Sequence, residues 1–446
     1  MGTAWAIAAA GVLTILSANA IAQQAAPSRR SINARDLGAV GDGATDDTAA
    51  IQRALDQAGN GVVTLPAGDY RITGTLAVPQ GGTLFGDGQR WENGATRLVV
   101  AGETFPAVRL SHAASVKALA ICYPGNRDTV RPRRCPPAIV LNGINPSVED
   151  IVFDCAWDGV STVPGVHTGQ ALFRNLTGFV HNVGMHLSGI RDVVRIENVH
   201  WFVGGDDIGE KAYFRKHRVG FEMGDVDGVL MSQCFIIGGK TFFHQLPTKD
   251  TTDGSKQPAH SLGHHIDQCW IEDVVNGFVF EGTSGFVVSS ANILVREGGV
   301  GVKVDADYLF YNAVLDSVQV RSFGAPIRGF EFGVRGEPHI RTRLSIADCQ
   351  VVDGAPALRL MKGARRANVH DNHFQAVPGK PAIQIDPGAD LLVITHNVLS
   401  AAQPIEDRSG TGARKVIEGN LVEALPAPAR PAPRPRAGAS QPSRKR

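Results

Sequence analysis

Two adjacent aspartates, Asp206 and Asp207, stand in the stretch GGDDIG, and Glu222 follows a short way downstream. Carboxylates in pairs are what glycoside hydrolysis requires. One protonates the leaving oxygen, and the other attacks the sugar or activates water, at about 5 Å for retention and roughly 6.5–9.5 Å for inversion. Histidines gather around the same residues, namely His186, His217, His244, His260, His264 and His265, and imidazole is the side chain that exchanges protons near neutrality. A second chemistry fits the same neighbourhood: β-elimination, in which a base removes a proton beside a carboxylate that a cation has neutralised. Lys211, Arg215, Lys216, Arg218, Lys240 and Lys303 could neutralise it, and Asp225 with Asp227, or Asp305 with Asp307, could hold calcium. Hydrolysis needs no cofactor, so calcium is implied only by elimination. Zinc is not expected, because no Cys-x2-Cys spacing occurs.

Such residues act only if something rigid places them. From about residue 105 to residue 422 a unit recurs: a small residue followed by apolar, variable, apolar, and some 14–16 residues later an Asn or Cys between apolar positions. AVRL, GMHL, GFEM, GFVF, GVKV and GFEF show the first half; MSQCFI, IDQCWI, VHDNHF and ITHNVL show the second. The period of 20–26 residues is too short for a βαβ unit and carries strand alternation. Each unit therefore reads as one coil of short strands, and the stack as an all-β, single-stranded right-handed parallel β-helix. The leucine spacing of a leucine-rich repeat is absent.

A solenoid end exposes an apolar cross-section and open strand edges, so it needs a different element as a lid. In GAVGDGATDDTAAIQRAL, Thr45 can cap a helix, Asp46 and Asp47 suit its positive end, and Ala50, Ile51, Ala54, Leu55 and Ala58 form one apolar stripe. The run ARDLGAVGDGATDDTAAIQRALDQAG and the following GVVTLPAGDYRITGTLAVPQGGTLFGDG closely resemble the opening segment of the pectate-lyase-like superfamily, which includes polygalacturonase relatives and phage tailspike-type proteins. The resemblance covers residues 31–90 as a motif and the rest as a pattern. It implies the β-helix, contact with a polysaccharide, and, from the tailspike relatives, a homotrimer. GGDDIG resembles the paired-aspartate motif of polygalacturonases, which implies that Asp206 and Asp207 activate water and protonate the leaving group. That family's Asn-Thr-Asp, Gly-His-Gly and Arg-Ile-Lys elements are not found intact here.

In the repeat the variable residue points outward, so Arg109, Val140, Ser161, His186, Glu222, Val279, Lys303, Glu331, Arg359 and Gln384 form one external face. Two long insertions flank it: DDIGEKAYFRKHRV before the Glu222 strand, and HQLPTKDTTDGSKQPAHSLGHH after a strand around Phe242. They are expected to wall a groove floored by His186, Glu222, Phe243 and Val279, with Glu281, Lys303 and Asp305 further along. The candidate catalytic residues are Asp206, Asp207, Glu222 and His186. The candidate substrate-binding residues are Lys211, Arg215, His244, Glu281, Lys303, Asp305, Trp201 and Phe243. A non-catalytic binding protein would use the same groove, with Trp201, Tyr213, Phe214, Phe242 and Phe243 as sugar platforms.

Of six cysteines, Cys122, Cys155, Cys234, Cys269 and Cys349 fall at the turn shared with asparagine. Cys122 and Cys135 bracket a loop long enough to close, and a disulfide is expected there. Cys234 and Cys269, one coil apart, suit either a bridge or stacked thiols.

Residues 1–22 read as a cleaved export signal and 23–30 as a linker, followed by the cap with the first strands (31–90), the solenoid (91–424) and a Pro/Arg-rich tail (425–446). That places the mature chain in the periplasm or outside the cell, with no membrane span once the signal is removed. The tail carries six basic residues, which leaves 38 basic against 43 acidic in the rest. Such a body is not a nucleic-acid binder by charge.

Overall fold

The computed structural model describes residues 30–89, 94–203, 208–247, 263–282, 285–306, 312–336 and 343–423. The expected signal, the Pro/Arg tail, Asp206, Asp207, Asp307 and most of the second insertion lie outside the described residues.

Strands dominate, and each pairs in parallel with its counterparts in the coils before and after it. The chain winds as a right-handed parallel β-helix. Its inward positions, such as Met185, Phe221, Phe243, Phe278, Val302 and Phe330, lie in one register row and are wholly buried.

The small residue that opens each repeat has a steric cause. At Gly184 an added Cβ would stand 2.5 Å from Trp201 Cε2, and at Gly301 it would stand 2.6 Å from Val320 Cγ2. The opposite wall of the coil already fills the space a side chain would need.

Each coil also turns a corner on a single left-handed residue. Asn175, Asn198, Gln233, Gln268, Asp348 and Asp371 occupy that corner with φ between +51° and +58°. Polar Asx and Gln side chains tolerate that conformation better than bulky apolar ones.

The residue after the corner forms an internal ladder. Asn372 donates to Asn397 Oδ1 at 2.9 Å, and Asn397 donates to Asn420 Oδ1 at 2.9 Å. The Cys349 amide donates to Asn372 Oδ1 at 2.9 Å. Cys234, Cys269 and Cys349 hold ladder positions as expected, whereas Cys122 and Cys155 do not. Leu119 and Ile151 occupy the ladder in their coils, in register with Leu176.

The expected Cys122–Cys135 disulfide is absent, and all six cysteines are free and buried. Cys122 clusters with Ala120 and Val152, while Cys135 lines a separate cavity with Tyr123, the residue after Cys122. Successive residues of an extended strand face opposite ways, so the two sulfurs look into different spaces.

At the N-terminal end the helix Thr48–Ala58 lies as a lid, with Ala50, Ile51, Ala54, Leu55 and Ala58 buried on the core. Thr45 is not its cap. The N-cap is Asp47, whose carboxylate is turned back to accept from the Val40 and Gly41 amides at 2.7 and 3.0 Å. Asp46 takes over the end, accepting from the Thr48 amide at 3.1 Å.

Candidate active site

The outward row emerges from strict strand alternation. His186, at the end of strand Leu172–Leu187, is in register with Glu222 of Val219–Met223, which is in register with His244 of Phe235–Gln245. Val279, Lys303 and Glu331 continue the row. Their chain neighbours point into the core, so these side chains must point out.

His186 Nδ1 lies 2.8 Å from Glu222 Oε1. His244 Nδ1 lies 4.0 Å from Glu222 Oε2, and its Nε2 lies 2.7 Å from Glu281 Oε2. Four side chains from consecutive coils thus form one line of alternating imidazole and carboxylate. Burial pushes Glu222 upward, but the hydrogen bond and charge of His186, with help from His244, outweigh it and hold the carboxyl below its usual range. Glu222 is therefore an ionised carboxylate at the centre of the row.

The first insertion supplies one wall. Its helix, Ile208–His217, is moored by Phe214, which is fully buried against Phe179 with ring centroids 5.5 Å apart. Arg218 follows, fully buried, donating to Gly238 O at 2.9 Å and Phe202 O at 2.7 Å. Lys211 stands on this helix. Arg215, expected to bind substrate, instead donates through Nε and Nη2 to the two oxygens of Asp273 at 3.0 and 2.7 Å, and Arg296 grips the same carboxylate. It is a fastening between helix and solenoid.

Two further expectations are corrected. Trp201 and Phe243 are fully buried and cannot meet a sugar. Trp201 fills the interior beside Gly184, and Phe243 points inward because His244 takes the outward place. Phe214 and Phe242 are likewise buried, and of the expected platforms only Tyr213 is partly open, tilted against His217 with ring centroids 4.6 Å apart.

Lys303 sits on the row, 3.5 Å from Asp305, which also lies 3.8 Å from Arg335. Asp225, half of an expected calcium pair, is almost wholly buried and ion-paired with Arg191 at 2.6 Å. Among the described residues no group of three or more metal-binding side chains comes together. His264 is structural: fully buried, its Nε2 2.9 Å from Gln245 Oε1 and its pKa pushed by burial down to about 3.

One carboxyl beside the row escaped sequence reasoning. Asp158, three residues ahead of Ser161 on strand Ser147–Thr162, accepts at Oδ1 from Asn182 Nδ2 at 2.8 Å and from the Val183 amide at 2.9 Å. It precedes Gly159, the small residue that opens GVST. That adjacency to a repeat leading into the outward face is the signal that could have found it.

Residues 31–98 match the family described as rhamnogalacturonase A/epimerase, pectate lyase-like. A mannuronan C5-epimerase, AlgE3, of Azotobacter vinelandii is 62% identical over 45 residues, which is 9% of this chain and 2% of that protein. A glucan 1,3-beta-glucosidase of Cochliobolus carbonum is 47% identical over 58 residues, 13% of this chain and 7% of its own. The matches therefore span a small fraction of each relative. Among solved structures, the N-terminal fragment of gene product 12 of bacteriophage Phi29 superimposes with a TM-score of 0.54 at 12% identity, covering 86% of this chain and 72% of that one. The fold is a right-handed parallel β-helix, and its opening segment is similar to that of the pectate-lyase-like class. It is similar to polysaccharide-active members of that class.

Proposed function

We propose that this protein hydrolyses a polysaccharide in the outward groove, with Glu222 as the ionised carboxylate that activates water. The observation that carries the reading is the Glu222 carboxylate held between His186 and His244 on paired strands. A base fixed by hydrogen bonds on a rigid sheet needs little reorganisation when the bond breaks. His244 is steered by Glu281, and Lys303 with Asp305 extends the groove for neighbouring sugars. Asp206 and Asp207 remain sequence candidates for proton transfer.

A glycosidase named for 1,3-β-glucan and epimerases named for mannuronan are among the relatives, so the test offers mannuronan, rhamnogalacturonan and 1,3-β-glucan. New reducing ends without ultraviolet-absorbing unsaturated ends are expected. Glu222→Gln should lower turnover about 10²–10⁴-fold with the fold intact. Unsaturated products would replace this reading with elimination, which the imidazole beside Glu222 also favours and which would call for a neutralising cation such as calcium. Binding without turnover in wild type would make the groove a docking surface. The reading includes export, checked by N-terminal sequencing of secreted protein, and a homotrimer, checked by sedimentation.

A further inference from the structure

We infer that Asp158 is the proton donor of this reaction, a catalytic acid working opposite Glu222; the inference rests on the hydrolase reading. The other carboxyls of the groove are tied to basic groups: Glu222 to His186, Glu281 to His244, Asp305 to Lys303, and Glu331 to Arg328 at 3.2 Å. Each of these carboxylates already has a basic partner. Asp158 is different. Among the described residues no basic side chain lies within ion-pair distance of it, and its hydrogen bonds, from Asn182 and Val183, both fall on Oδ1. Oδ2 has no hydrogen-bond partner among the described residues and is not sealed from solvent.

Its position suits the task. Asp158 is in register with Val183, and Val183 with Val219, three residues ahead of Glu222. Two strand spacings and three residues place the two Cα atoms about 14 Å apart. Side chains leaning towards each other across that gap can bring their carboxyls to the roughly 6.5–9.5 Å that inverting hydrolysis needs. The titratable groups facing Asp158 are His186 and Glu222 from the row, Tyr213 from the insertion helix, and Cys135 from the loop before strand Ile139–Leu141. Burial pushes the Asp158 carboxyl up, and the bonds from Asn182 and Val183 only partly offset this. It therefore keeps its proton to higher pH than an ordinary aspartate, while Glu222 loses its proton early. Two carboxyls whose environments drive them apart are suited to be acid and base.

In the step, the proton on Asp158 Oδ2 passes to the glycosidic oxygen as the bond from that oxygen to the anomeric carbon breaks. A water oxygen bonds to the anomeric carbon, and Glu222 takes the proton that water releases. One water is consumed per bond, and bulk water then reprotonates Asp158 and deprotonates Glu222.

The test is Asp158→Asn, which keeps an oxygen for Asn182 and Val183. Turnover is measured on whichever of mannuronan, rhamnogalacturonan and 1,3-β-glucan wild type cleaves, and on the 2,4-dinitrophenyl glycoside of the released sugar. The carboxyl resonances of 13C-labelled aspartate are titrated in parallel. On polymer the variant should lose about 10²–10⁴-fold in kcat, together with the high-pH limb of the profile. On the dinitrophenyl glycoside, whose leaving group needs no proton, it should lose less than about tenfold, and one up-shifted aspartate resonance should vanish. A variant that keeps polymer turnover and its high-pH limb overturns the assignment while leaving the hydrolase reading intact. So does an equal loss on both substrates, or leaving-group dependence that appears in Asp207→Asn instead. Wild type without hydrolysis of any of the three polymers overturns both.

Discussion

His181 makes the stability of the solenoid depend on pH in a direction the structure fixes. The ring is fully buried, stacks on Phe214 at 6.3 Å between centroids, and bonds through Nε2 to Asn126 O at 2.9 Å. A carbonyl only accepts, so Nε2 carries the proton and the neutral tautomer leaves Nδ1 bare. Nδ1 is buried without a partner, and a second proton there would find no acceptor. Burial accordingly pushes the ring from 6.5 down to about 4. Because the folded value lies below the unfolded one, the stabilisation is fully present above pH 6.5 and is lost as pH falls from there towards 4. At about 1.4 kcal/mol for each tenfold difference in proton affinity, the whole descent is worth roughly 3 kcal/mol. His181→Gln keeps a donor for Asn126 and cannot titrate. Denaturant unfolding of both proteins at pH 7 and pH 4.5 should show wild type losing about 2.5 kcal/mol more than the variant. A difference below about 0.5 kcal/mol would mean that the ring accepts its second proton in place, and the reasoning from the bare Nδ1 would be wrong.

The remaining predictions concern the frame. Thiol titration of the unfolded, unreduced protein should count six reactive cysteines; four would restore a disulfide. Asp273→Asn should loosen the insertion helix by about 1–3 kcal/mol through the loss of charge-assisted bonds to Arg215 and Arg296, read as faster proteolysis within 208–217. Unchanged cleavage there would show that Phe214 alone holds the helix. Asn397→Leu removes the oxygen that accepts from the Asn372 amide and side chain and should cost about 2–4 kcal/mol, read as a fall in Tm. Asn397→Cys, which copies what Cys349 does two turns away, should cost less.

Strand alternation and the small residue of each coil were legible in the sequence because they answer to local sterics, and the buried stripe of the lid was legible because a helix has a fixed period. The outward row was readable for the same reason at His186, Glu222, Val279 and Lys303. It failed at Phe243, where the repeat's small residue gives way to Phe242. With two aromatics in succession the sequence does not say which one points in, and the structure buries both. Trp201 failed for a related reason. Its pocket is made by Gly184 and Gly220, distant in the chain, and nothing near it in the chain records that space. Arg215 looked free because its partner Asp273 stands 58 residues away.

The same aromatic packing gives the proposed base a firm seat at this part of the solenoid. Phe221 meets Phe242 at 5.2 Å between centroids, Phe242 meets Phe278 at 5.4 Å, and Phe280 stacks on Phe286 at 3.9 Å. Phe221 is the chain neighbour of Glu222, Phe278 and Phe280 flank Val279, and Phe242 stands two residues before His244. Large rings in edge and stacked contact have few rotamers to exchange, so they fix the strands from below more firmly than aliphatic side chains do. On the outside, the hydrogen bonds of His186 and His244 fix the carboxylates in turn. Rigid floor and locked side chains together are what a base must have to meet a bound sugar in one geometry. Substituting the floor, for example Phe242, would therefore disturb turnover through position alone, without touching any group that moves a proton.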